Sequence, residues 1–300
     1  MSIPGLHESQ WYAEARRFRR EADSASFRRQ VGFRRWAEMQ LAPITSFPRL
    51  AEFEVAERFL DLRTGLSLLD LASPKIFGLV LSRRFSLDAW LTDIWEEEVS
   101  AWKAWAESAG WADPKLRFEA CDARRTGFPD KSFDRVVSIS VLEHIEGDGD
   151  SSAMREMGRV LKPGGIAVVS IPFSRRFKMK MTRSRIYGVE NPGKKEQLFL
   201  RVYDQQTLEQ RILRPSGLFL QEATALGLRT SFWSRFFAEA LSDTTQSLTR
   251  RNKLVYLLTL PFFPAFPRLS RSLRYRADYR RLPVSLYFHD IVLKLVKKRP

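Results

Sequence analysis

"LSLLDLASPKIFGLVLS", residues 66–82, passes from a short apolar run, through Ala72-Ser73-Pro74-Lys75, into a segment whose apolar residues return at helical spacing. A strand that feeds a helix through so short a turn is half of a strand–helix–strand unit. The pattern repeats downstream. Leu87 to Thr92 predicts a strand, Glu96 to Ala109 a helix, and Leu116 to Ala120 a strand. Arg135 to Ser140 predicts the next strand, Ser151 to Leu161 a helix, and Ile166 to Ile171 a further strand. Alternation of this kind predicts an α/β fold, a mostly parallel sheet with helices on both faces.

The flanks read differently. Ser9 to Gln40 predicts helix, with aromatic residues among arginines, and Leu50 to Leu62 a second helix before Gly65. After Pro172 comes a basic segment, then a helix from Asp204 to Leu213 that ends near Pro215-Ser216-Gly217, and a strand from Leu218 to Ala225. "LYFHDIVLKLVKK" carries the β-branched and aromatic residues of a strand that closes the sheet. The expected division is an N-terminal helical extension over 1–65, a core over 66–228, an insertion over 229–282 and a closing strand within 283–300.

Of 300 residues 44% are hydrophobic, enough for a substantial core, which excludes wholesale disorder. The net charge of +15 is unevenly placed. Phe173 to Pro300 holds 26 Lys or Arg against 9 Asp or Glu, which leaves 24 against 26 for the rest of the chain. Such an excess implies an anionic partner or, more blandly, a solvated basic face. One cysteine, Cys121, and no leader-like opening run predict a reducing, cytoplasmic setting. No Cys/His cluster suggests a metal.

In an open α/β sheet, ligands sit beyond the carboxyl ends of the strands. Asp70, Asp93 and Asp122 stand at the ends of the first, second and third strands, and Asp93 follows Asp70 by about the 20 residues expected of an acid that binds ribose hydroxyls. Over Phe118 to Phe173, "FEACDARRTGFPDKSFDRVVSISVLEHI" and "EMGRVLKPGGIAVVSIPF" make the chain resemble the class I S-adenosylmethionine-dependent methyltransferases, of the type 11 small-molecule kind. That resemblance implies a Rossmann-like, seven-stranded sheet with a helical insertion before the last strand, and S-adenosylmethionine as cofactor. It implies that Asp93 binds the ribose, that Asp122 and the backbone of Ala123 read the adenine, and that Ser140 and Val141 line the methionine side. Lys162-Pro163-Gly164-Gly165 is then a structural stop, ending a helix and turning the chain into the fifth strand.

The turn quoted first departs from the family's acid-x-Gly-x-Gly-x-Gly loop, since Ala72, Pro74 and Ile76 occupy the glycine positions. Ser73 as N-cap and Pro74 as first helical residue make a good helix start. The helix N-terminus and Lys75 would then attract the cofactor's carboxylate, a loop rebuilt around Asp70, Ala72, Ser73 and Lys75.

The expected activity is methyl transfer to a lipophilic or anionic small molecule, lipid-linked in one version. His144, in "VLEHIE", is the candidate base, with a plain helix-start role as the alternative; His289 and His7 are weaker candidates. The N-terminal helices, the segment after the fifth strand and the insertion should form the acceptor region. In the insertion, 14 uncharged residues from Leu254 to Pro267 lie between basic clusters, too short for a bilayer span of about 20 residues. They read either as a lid over the site or as a contact, through residues 250–281, with an anionic membrane surface at the inner membrane face. Nucleic acid is the less favoured partner. The other functions kept open are a non-catalytic methyltransferase-like binding protein and an RNA methyltransferase.

Overall fold

A computed structural model describes residues 10–21, 29, 47–183, 195–229, 273–276 and 286–299. Helix α1 (Gln10–Glu21) and helix α2 (Phe47–Leu60) precede strand β1 (Ser67–Leu71). Then follow α3 (Lys75–Phe85), β2 (Asp88–Asp93), α4 (Glu96–Ser108), β3 (Leu116–Ala120), β4 (Phe133–Ile139), α5 (Gly149–Val160) and β5 (Leu161–Pro172). Strands β6 (Lys178–Thr182) and β7 (Gln197–Val202) form a separate antiparallel hairpin. A helical run from Gln205 to Ser216, capped by Asp204 and π-helical over Leu208–Leu213, leads to β8 (Phe219–Arg229). Strands β9 (Leu273–Arg276) and β10 (Leu286–Val296) complete the chain.

The main sheet runs β3-β2-β1-β4-β5-β10-β8-β9. The five strands β1 to β5 are parallel and β10 is antiparallel between β5 and β8. The seven expected strands are all present. An eighth, β9, lies inside the expected insertion and extends the edge next to β8, so the described part of that insertion is strand, not helix. The rest of residues 229–282, with the apolar run Leu254 to Pro267, falls outside the described residues. So does most of the expected Ser9 to Gln40 helix beyond α1.

Both faces of the sheet are covered, as its near-continuous apolar strands require. Leu68, Val137, Val168 and Val292 face one core under α1, α2, α3 and α4. Leu69, Val136, Val169 and Leu293 face the other, under α5 and the 205–216 helical run. The period-two alternation along each strand sets this division.

One local expectation is corrected. Lys162-Pro163-Gly164-Gly165 does not lie before the fifth strand but within it: Phe133 pairs with Leu161 and Arg135 with Ile166, so the four residues bulge out between two paired positions. The basic segment after Pro172 holds strand β6, which pairs antiparallel with β7. Its Lys-Met-Lys-Met alternation is short and buries neither face.

The N-terminal helices do not simply overhang the sheet edge. Helix α2 lies across β5, β10 and β8 as part of a covering layer, and Trp11 of α1 packs its ring against Phe53 and Phe77 at 5.0 and 5.2 Å. Arg135 of β4 hydrogen-bonds the carbonyls of Leu60 and Asp61 at the far end of α2, which brings its first turn, with Arg49 and Glu52, to the carboxyl edge.

Candidate functional site

Strand order reverses between β1 and β4, which is where a crevice opens in such sheets. The Ala72–Lys75 turn sits at this point. Ala72 holds φ +58°, the left-handed conformation that a glycine adopts without strain and that costs an alanine about 1 kcal/mol. The strain is held by pinning. Ala72 N–H donates to Thr92 O (3.0 Å), Ser138 Oγ to Leu71 O (3.0 Å), and Ile139 N–H to Ser73 Oγ (3.0 Å). Ser73 therefore turns towards β4 and does not cap α3; Pro74 stands at the cap position and Lys75 begins the helix.

Asp70 is wholly buried under this turn. Its Oδ1 accepts from Ser73 N–H at 3.0 Å, and burial raises its pKa to about 6. Gly78 of α3 lies so close that a side chain there would meet Asp70 Oδ2 at 2.7 Å. The glycine that permits close approach is thus inside the helix, and what it accommodates is the Leu91 side chain of β2 together with the buried acid. Asp70, expected among the cofactor-binding residues, organises the loop from below.

Lys75 belongs to the same turn. Only 2% exposed, its ammonium donates to Ser73 O (2.9 Å) and to Asp93 Oδ2 (3.0 Å). It neutralises the acid at the end of β2. Asp93 keeps its other oxygen turned to the Trp95 backbone N–H at 3.4 Å, so acceptor positions for hydroxyls remain on it. Asp122 lies at the end of β3 as expected, but Arg124 grips it with Nε and Nη2 at 2.6 to 3.0 Å, which holds its carboxyl below the usual range. Ala123 packs at the margin of the second core, and Cys121, half-buried, keeps its thiol protonated.

Beyond β4, Ser140 takes φ +52° and hydrogen-bonds Glu52 Oε1 at 3.1 Å; Val141 opens a short 3-10 turn, Leu142–His144. Glu52 also accepts from Ser170 Oγ on β5 and is paired with Arg49 at 2.6 Å. Sequence reasoning missed Glu52 and Arg49, whose only signal was an i, i+3 charge pair in α2, a pattern that surface helices carry routinely. It passed over Glu143, although that residue stands beside His144 in the quoted motif.

His144 Nδ1 meets the carbonyl of Phe199 at 2.5 Å, so that nitrogen carries the proton and Nε2 keeps its lone pair. Phe199 is the extra residue of an irregularity in the hairpin, where Lys180 pairs with Leu200 and Met181 with Leu198, and this frees its carbonyl for the histidine. Burial lowers the imidazole pKa to about 4. Glu143, fully buried with Oε2 unpartnered, has its carboxyl pushed well above the ordinary range by desolvation. Its Oε1 lies 3.6 Å from His144 Nε2.

These shifts have opposite linkage. As pH falls from about 6.5 to about 4, the unfolded chain protonates His144 and the fold does not, which removes stability; over nearly the same range the fold protonates Asp70 first, which adds it. We expect His144→Asn to gain on the parent by up to about 3 kcal/mol across this range. Urea unfolding of both at neutral and acidic pH checks it, and a constant difference would mean the imidazole is not held neutral.

Residues 72–169 match the family model described as a methyltransferase domain, and the strand order around them is that of the class I methyltransferases. The curated relatives that the chain matches include the ubiquinone/menaquinone biosynthesis C-methyltransferase of Bordetella avium, 34% identical over 121 residues, 38% of this chain and 44% of that one. The counterpart from Bordetella parapertussis is 36% identical over 119 residues, 38% and 43% of the two chains. The chain thus spans less than half the length of these relatives. Among solved structures, the [4+2]-cyclase SpnF superposes with a TM-score of 0.54 at 19% identity, covering 85% of this chain and 84% of that one. MccD protein gives 0.52 at 15%, covering 83% and 96%. Both show the fold alone.

Proposed function

We propose that the chain is an S-adenosylmethionine-dependent methyltransferase acting on a lipophilic small molecule. The observation that carries this reading is Asp93, placed at the carboxyl end of β2 beside the rebuilt turn, with acceptor capacity left for a vicinal diol. When bound, the cofactor supplies the methyl group. The chain's part is to hold it and prepare the acceptor: Asp93 accepts from the ribose hydroxyls, and Ser140 and Val141 line the methionine side. His144, neutral and oriented by Phe199, takes a proton from the acceptor at Nε2 where the acceptor must lose one. The names of the curated relatives, C-methyltransferases of ubiquinone and menaquinone biosynthesis, support an acceptor of lipophilic character.

A second reading, a methyltransferase fold that binds no cofactor, is favoured by one observation: Lys75 already neutralises Asp93. Titration calorimetry with S-adenosylhomocysteine separates the two. We expect micromolar binding. Its absence in folded protein would select the second reading.

A further inference from the structure

We propose that the β6–β7 hairpin is a docking surface for an anionic membrane. Strand β6 reads Lys178-Met179-Lys180-Met181-Thr182, and its first four residues are exposed. Met179 is 52% and Met181 44% exposed. The partner strand β7 is the anchored one: Leu198 and Arg201 are buried, Arg201 binds the carbonyls of Ile145 and Gly147, and the bridge Phe173–Tyr203 ties the hairpin base to the end of β5. β6 therefore stands outermost, on a fixed support.

Lysines on an edge strand commonly serve to block pairing with other strands. That role does not account for two large thioether side chains left in water, whose burial is favourable. Methionines to enter the interface and cations to meet head groups are together what a lipid surface selects. Arg176, just before the strand, adds to the charge, and the chain from Phe173 onward holds 26 basic residues against 9 acidic. Neither Lys178 nor Lys180 has an ion pair among the described residues. Of the five exposed large hydrophobic residues described, Ile94, Trp95, Met179 and Met181 follow the carboxyl ends of strands; Phe219, at the start of β8, stands at the opposite edge.

This surface stands independently of the cofactor, but its consequence rests on the proposed function. The same hairpin supplies the Phe199 carbonyl that orients His144, so a docked hairpin sets the candidate base facing the lipid phase from which a lipophilic acceptor would enter.

The test is co-sedimentation of the full chain, without cofactor, with vesicles of equal parts phosphatidylglycerol and phosphatidylcholine, and with phosphatidylcholine alone. The parent should sediment with the anionic vesicles only. Each lysine at such a surface contributes about fivefold to partitioning, so Lys178→Glu with Lys180→Glu should lower it at least about 25-fold. Met179→Ser with Met181→Ser should abolish the part of binding that survives raised salt. All four side chains are exposed, and unchanged thermal unfolding confirms that the variants fold. A parent that does not sediment, or charge-reversed protein that sediments like the parent, overturns the proposal. So does loss of binding to a single-stranded RNA oligonucleotide with sedimentation unchanged, which would assign the surface to nucleic acid.

Discussion

Asp93→Ala is expected to destabilise the fold by about 3 kcal/mol, because it leaves the buried Lys75 ammonium without its carboxylate. From the sequence the same substitution looks like a clean test of cofactor binding that spares the fold. The ion pair makes it a test of two things at once. Adding Lys75→Met separates them, since it removes the stranded charge and keeps most of the apolar stem. The double variant should recover most of the lost stability in urea unfolding. It should still bind S-adenosylhomocysteine about 100-fold more weakly than the parent, from the loss of charge-assisted bonds worth about 1.5–3 kcal/mol each. Parental affinity in the double variant would show that Asp93 is not the diol-binding acid, and full stability in Asp93→Ala would show that the pair does not hold the turn.

Asp150→Ala should cost more, about 3 to 5 kcal/mol. Asp150 is fully buried at the start of α5 and accepts from Arg211 Nε and Nη2 (2.8 and 2.7 Å) and from Tyr203 Oη (2.8 Å), with Arg201 at 3.9 Å. Its removal strands the Tyr203 hydroxyl and leaves Arg201, also buried, without a counter-charge. The effect should reach the candidate site, because Arg201 clamps the loop that follows His144 and its strand carries Phe199. Denaturant unfolding gives the stability. NMR titration of His144 should show its pKa rising from about 4 towards the ordinary 6.5 as the imidazole loses its buried setting. A loss under 1 kcal/mol would mean that the network is dispensable.

The sheet was legible in the chain because its signal is local. Apolar runs such as Leu66–Leu71 and Ile166–Ile171, each bounded by turns, mark strands buried on both faces, and the intervening helices follow from spacing alone. Asp93 and His144 were legible for the same reason, since each follows a strand end that the pattern itself locates. The hairpin was not, because the alternation in Lys-Met-Lys-Met is only four residues long and lies in a basic stretch where neither face is buried. Nor was the state of the site. That Lys75 neutralises Asp93, that Arg124 holds Asp122, that Ser73 bonds Ile139, and that Glu52 reaches Ser140 from 88 residues away depend on which backbone atoms stand within about 3 Å once the layers pack. The order of residues placed the acids at one edge of the sheet. Only packing decided which of them are already paired, because pairing is set by distances between segments that no local pattern encodes.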